Sequence, residues 1–286
     1  MAPSLIQKEN QELNKKIDNF LSTVPSKSKD IDFELEGVKR IFIEMENQTT
    51  EELILYTKKY TSLVNHISSI LEEELEGLTG KKRERAVVKK VWKVVVENLK
   101  IKSWDNPFIS LFESLNNYKF DCDTSAFLFY DIGKKLNINT RLVTTSEHAL
   151  VATDNFFLET TKGKYRKIKY LKNYYKRYYI LNNDQNQSIT YDQLAMKEVK
   201  SFNYKKAKEF FDKAIALNNN DFDGYFNRGS INSILGNYKE AIEDFSKVIS
   251  ENPGDTLSHQ KRSICYKKLG EIKKAEKDLK IVERLE

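Results

Sequence analysis

The sequence predicts an α+β chain in two parts: a helix-rich amino-terminal region holding a small antiparallel sheet, then an all-α solenoid. Three observations carry this. Apolar residues recur at helical spacing through roughly the first hundred positions, segments between 141 and 161 are β-rich, and large and small residues recur every 34 positions from 188 onward. The expected divisions are an amino-terminal helix with linker over 1–30, a domain over 31–181, and an array over 188–286.

The first stripe is Ile6, Leu13, Ile17 and Leu21, followed by a Ser/Pro/Lys linker at 22–30. A longer stripe runs through Leu53, Tyr56, Tyr60, Leu63, Ile67 and Leu71, opened by Thr49 and Glu52 as a capping box. Val88, Val91, Trp92, Val95 and Leu99 make a third. His66 lies in the second of these helices, where a structural or exposed role fits better than chemistry.

Residues 124–136 are apolar on several faces, so this helix is buried. Asp121 suits its N-cap, which puts Cys122 in the first turn; Gly133 and the 137–139 asparagines end it. A first-turn thiol sits at the positive end of the helix dipole, beside N–H groups suited to an oxyanion. Asp121 and Asp123 oppose this, because their charge raises the thiol's pKa unless turned away. Asn116 and Asn117, just upstream, are candidate side-chain oxyanion donors, although a loop Asn is more often a turn residue.

Beyond Thr140 the segments 141–145, 148–153 and 156–161 read as strands, with Asp154-Asn155 as a two-residue hairpin turn. That turn pairs Thr153 with Phe156, Val151 with Leu158, Leu150 with Glu159, and His148 with Thr161. His148 and Glu159 then share one face of the hairpin. The order helix-Cys, strand-His, strand-carboxylate allows Cys122 to attack, His148 to take its proton and Glu159 to orient the imidazole.

These residues resemble the core of the transglutaminase-like superfamily, in which a helix begins at the Cys and adjacent antiparallel strands bring the His and the acid. His148-Ala149 is similar to the family's HA start, and residues 157–161 (FLETT) to its acidic position with the following Thr. The resemblance implies a papain/transglutaminase-like core and cysteine acyl chemistry. Glu159 stands where the family usually has Asp, and Leu150 where an aromatic often follows HA.

The 34-residue period is explicit in Ala207, Ala241 and Ala275, in Phe211, Phe245 and Leu279, and in Tyr204, Tyr238 and Ile272. Tyr191, Tyr225 and His259 take the large first-helix position, and Ala195, Gly229 and Ser263 the small one; Pro253 ends one repeat, where Asn219 stands in the copy before. This resembles tetratricopeptide repeats over 188–221, 222–255 and 256–286. The resemblance implies a concave groove that takes a protein or peptide, lined by Asp192, Met196, Val199, Phe226, Ser230, Ser233, Gln260, Ile264 and Lys267. A carboxylate clamp needs Lys and Asn where Asp192 and Met196 stand, so a chaperone tail is not the expected ligand. Packing of the repeats on the preceding domain is the alternative to a free groove. Cys265 falls at a core position, and the uncapped last repeat is a candidate contact for another domain or a second copy.

Residues 162–180 hold eight Lys or Arg, six Tyr and no acid. The favoured reading is an amphipathic helix around 168–179, its tyrosines on the sheet; nucleic-acid binding is the weaker alternative. With 48 basic and 42 acidic residues the net charge is +6. Two cysteines give no disulfide framework and fit a reducing cytoplasm; no membrane span, signal region, metal cluster or phosphate loop is legible, so no cofactor is expected. The leading expectation is a cytoplasmic cysteine hydrolase acting on an amide or peptide bond, its repeats recruiting a protein. The alternative is an interaction scaffold whose transglutaminase-like domain is inactive.

Overall fold

The computed structural model describes residues 5–23, 30–45, 48–99, 111–117, 120–145, 148–175 and 178–285. The side chains of Ile6, Leu21, Leu99, Asn116 and Asn117, and most of the 22–30 linker, lie outside the described residues. The chain divides into two compact units, one ending at Thr190 and the other beginning at Tyr191.

The first unit contains helices α1 (Leu5–Thr23), α2 (Glu36–Glu44), α3 (Thr50–Glu74), α4 (Gly80–Leu99), α5 (Leu111–Asn117) and α6 (Cys122–Lys135). Strands β1 (Arg141–Thr145), β2 (Ala149–Ala152), β3 (Phe156–Glu159), β4 (Lys164–Lys167) and β5 (Tyr178–Ile180) form one sheet ordered β4-β3-β2-β1-β5. All its pairs are antiparallel.

The helix signals are local and hold. Thr49 and Glu52 make both halves of the capping box on α3. Asp121 and Thr124 do the same on α6. At the other end of α6 Asn137 takes a left-handed φ of 57°, and the Ile138 N–H reaches the Gly133 carbonyl at 2.9 Å, closing the helix. Of the α3 stripe, Tyr60, Ile67 and Leu71 are fully buried, and His66 is exposed.

The hairpin register is the one the turn dictates: Val151 pairs with Leu158, Ala152 with Phe157, and the Thr153 N–H meets the Phe156 carbonyl. Alternation gives the sheet two faces. Leu142, Ala149, Val151 and Leu158 join the core built with α6 and the other helices. Val143, Leu150, Ala152 and Phe157 form a second cluster with Leu171.

The basic segment corrects the expectation of one amphipathic helix over 168–179. It is β4, a single 3-10 turn at Ile168–Tyr170, a four-residue helix α7 (Leu171–Tyr174), and β5. Part of that expectation survives, since Ile168, Leu171, Tyr175 and Tyr178 pack on the sheet.

The second unit is a run of helix pairs. It comprises α8 (Ser188–Lys200, begun in the first unit) with α9 (Tyr204–Leu217), α10 (Phe222–Ile234) with α11 (Tyr238–Glu251), and α12 (Thr256–Lys268) with α13 (Ile272–Leu285). Ala207, Ala241 and Ala275 are all fully buried, as are Phe211 and Phe245. Gly229 sits at a close approach: a Cβ there would lie 3.0 Å from the Asp244 Cβ and 3.1 Å from the Phe245 ring, so these neighbours would have to give by a few tenths of an ångström.

Candidate functional site

Two places carry the residues singled out above. In the first unit, the N-terminus of α6 meets the start of β2 and the end of β3. The Cys122 sulfur accepts the Ala149 backbone N–H. The Thr160 hydroxyl donates to the Cys122 carbonyl at 3.2 Å, and the Ser125 hydroxyl donates to Thr160 Oγ1 at 2.8 Å. Cys122 is therefore adjacent to the residues that follow His148 and Glu159 in the chain.

The contacts of the three side chains diverge. The Cys122 thiol donates to Asp123 Oδ1 at 3.5 Å; among the described residues His148 is not one of its hydrogen-bond partners. The His148 backbone is tied to Thr145, its N–H on Thr145 Oγ1 at 2.8 Å and its carbonyl accepting the Thr145 hydroxyl at 2.9 Å. Glu159 has Lys162 at 3.9 Å. Strand alternation assigns His148 and Glu159 to the face of Leu150 and Phe157, whereas α6 covers the face of Ala149 and Leu158.

The electrostatics of the thiol are also plain. Burial pushes its pKa strongly up, Asp123 and Asp121 push the same way, and the Ala149 N–H only partly offsets them. Sequence reasoning missed the charge beneath this corner. Arg40 of α2 is wholly buried, its Nε 2.6 Å from Glu44 Oε1 and its guanidinium 5.0 Å from the Phe127 ring centre. Glu44 also accepts the Leu111 N–H at 2.6 Å. Burial holds Glu44 above the usual carboxylate range, and Asp121 adds to this. The only sequence signal was an i, i+4 Arg–Glu pair, which on most helices marks a solvated face.

In the second unit the expected groove residues lie along the first helix of each pair. Phe226 rests edge-on against Phe245 with ring centres 5.8 Å apart, and the Ser230 hydroxyl donates to the Phe226 carbonyl. Ser233 accepts the buried Cys265 thiol at 3.6 Å. Asp192 hydrogen-bonds Asp221, the N-cap of α10, whose carboxyl is raised first by burial. Ile264 is 51% exposed, and near this stripe Ile234 and Leu257 are 58% and 50% exposed.

A second periodic feature, unread in the sequence, ties the pairs together. Arg228 grips Asp244 with Nη2 at 2.6 Å and Nε at 3.1 Å, and reaches back to Asp212 at 2.8 Å. Arg262, one period on, grips Asp278 at 2.7 and 2.8 Å and reaches back to Ser246 at 2.8 Å. The 34-residue spacing of Arg228 and Arg262, and of Asp244 and Asp278, was the available signal.

Helix pairing, the phase of small and large residues and this ladder all follow one period, and the tetratricopeptide repeat pattern matches residues 190–221 and 222–255. Residues 190–255 are tetratricopeptide repeats. Repeats of this kind are protein-interaction modules. Neither match extends into residues 1–189.

No curated protein matches the chain. Among solved structures, a crystal structure of MamA is similar at 26% identity over 34% of this chain and 57% of that one, with a TM-score of 0.33. The second TPR of Spaghetti (RPAP3), bound to the HSP90 peptide SRMEEVD, is similar at 22% identity over 36% of this chain and 95% of that one, with a TM-score of 0.34. A crystal structure of menin that reveals the binding site for Mixed Lineage Leukemia (MLL) protein is similar at 16% identity over 95% of this chain and 69% of that one, with a TM-score of 0.46.

Proposed function

We propose that this protein is an interaction scaffold. Its tetratricopeptide repeats hold a segment of a partner protein along α8, α10 and α12, and its amino-terminal unit does no cysteine chemistry. The observation that carries this is the repeat array itself, with Ile264 and its neighbours Ile234 and Leu257 left exposed beside the groove positions. Unpartnered apolar side chains among polar ones suit apolar anchors of a bound segment. Asp192 and Met196 stand where a carboxylate clamp needs Lys and Asn, so an internal segment fits better than a terminal carboxylate.

The Cys122 corner supports the inactive reading. A nucleophilic thiol needs a base in contact and a lowered pKa. Here the thiol donates a hydrogen bond to Asp123 and accepts one from the Ala149 backbone amide, and burial and acids raise its pKa. The convergence of Cys122, β2 and β3 then serves to lock α6 onto the sheet through Ser125 and Thr160.

The test has two parts. The full chain should enrich peptides with apolar anchors from a displayed random library, and Ile264→Asp should lose them while keeping its helical circular dichroism. Retention of the same peptides by Ile264→Asp would count against the groove. Separately, a thiol-directed acyl probe should leave Cys122 unlabelled at neutral pH. Rapid labelling that disappears in Cys122→Ala would reinstate the enzyme.

A further inference from the structure

The first unit has a cleft of about 800 Å³ at the free edge of its sheet, unrelated to the Cys122 corner. Its cations come from two elements: Lys81, Lys82 and Arg85 from the start of α4, and Arg166 and Lys167 from the edge strand β4. Among the described residues no carboxylate lines it. None of these five cations forms an ion pair with any described residue. The nearby acid on α4, Glu84, is committed elsewhere: it accepts the Thr153 hydroxyl and both the backbone and side-chain N–H of Asn155.

Aromatic rings occupy the same walls. Phe156 and Tyr165 meet edge-on at 6.2 Å, while Tyr170 and Tyr174 are 42% and 52% exposed. The Arg166 guanidinium lies 4.4 Å from the centre of the Tyr174 ring, and its buried Nε has no acceptor. Five cations with no ion-pair partner among the described residues, gathered from two elements on one cleft, make an electropositive wall suited to a polyanion. An acidic peptide or free phosphate would use the cations alone. The exposed rings add flat, apolar surfaces between them, which is the recognition chemistry of a base joined to a phosphate.

We propose that this cleft binds single-stranded nucleic acid, its phosphates on Lys81, Lys82, Arg85, Arg166 and Lys167 and its bases on Tyr170 and Tyr174. The proposal is independent of the repeat groove. Binding of a fluorescent oligo-dT and oligo-U to the full chain, followed by anisotropy, tests it. With up to five phosphate contacts, the logarithm of affinity should fall against the logarithm of salt with a slope of up to about −3.5. Lys81→Glu/Lys82→Glu changes two exposed residues at a helix N-terminus, where acids are favoured, so the fold is kept. That double variant should bind at least about tenfold more weakly, with a slope shallower by about 1.4. Tyr174→Ala should weaken binding about tenfold with the slope unchanged. Oligonucleotide binding that ignores both variants overturns the proposal. So does equal competition by polyglutamate or inorganic phosphate, which would make the cleft a plain anion patch.

Discussion

Asp131 shows how one buried carboxyl fastens two helices. It accepts the N–H groups of Glu36 and Gly37 at 3.0 and 2.8 Å and the Tyr60 hydroxyl at 2.8 Å, so a side chain of α6 caps α2. Gly37 is needed there, because a Cβ would lie 2.1 Å from the Tyr60 ring. Burial pushes the Asp131 pKa up to about 7 against the donors that favour the carboxylate. Because the folded-state pKa is raised, the stabilisation is complete below the ordinary value near 3.8 and is lost as pH rises through about 7. The slope is at most about 1.4 kcal/mol per pH unit. Trp92 lies on α4 in the first unit, so its fluorescence reports that unit's unfolding. The urea midpoint should fall between about pH 4 and about pH 7, and Asp131→Asn should flatten that fall. Glu44, also raised, acts with the same sign and leaves a residual slope. An unchanged slope in the variant would refute the assignment. The residue scale was partly legible beforehand. The placing of Cys122 in a first turn and the adverse charge of Asp121 and Asp123 were readable from adjacency. The burial of Arg40, Glu44 and Asp131 was not, because a charged residue reads as solvated until tertiary packing encloses it.

At the scale of elements, the hairpin was legible because its turn and its alternation agree, while what holds it was not. Glu84 of α4 clasps the turn through Thr153 and Asn155, a contact 69 to 71 residues apart that no local pattern encodes. Glu84→Ala should leave the Asn155 N–H and the Thr153 hydroxyl without that partner, at a cost of about 2–4 kcal/mol. Hydrogen exchange should accelerate first in β2 and β3. Protection unchanged there, with stability lost elsewhere, would contradict the clasp. The strands β4 and β5 escaped the sequence reading for an intelligible reason. Both are sheet edges, where Lys, Arg and Tyr replace the buried alternation that identifies central strands. Charge and aromatic spacing in 168–179 mimic a helix, but α7 is only four residues long, and the other described residues there are extended or 3-10.

For the whole molecule, among the described residues no helix is long and apolar enough to cross a membrane, and each unit has its own core. In the second unit stability is distributed along one dimension, as a sum of repeat and neighbour terms. The period was legible because its apolar positions are local; the Arg–Asp ladder rides on the same period but becomes meaningful only when helices stack. Arg228 joins α10 to α11 and α9, whereas Arg262 joins α12 to α13 and α11. Asp278 carries an extra duty, accepting from His259 at 2.9 Å while the other ring nitrogen faces the Pro253 carbonyl at 3.1 Å. Removing Arg262 therefore leaves a nearly buried carboxylate short of a bidentate partner at the last interface. Arg262→Ala should cost about 2–3 kcal/mol, below the usual range for a fully buried pair because the guanidinium keeps some exposure. Its effect should be confined: amides of α12 and α13 should exchange faster while those of α9 keep their protection. Arg228→Ala should instead raise exchange across α9, α10 and α11 together. Hydrogen exchange read by mass spectrometry on the full chain separates the two patterns. Identical, array-wide loss of protection in both variants would mean that the repeats unfold as one unit and that the ladder does not define their boundaries.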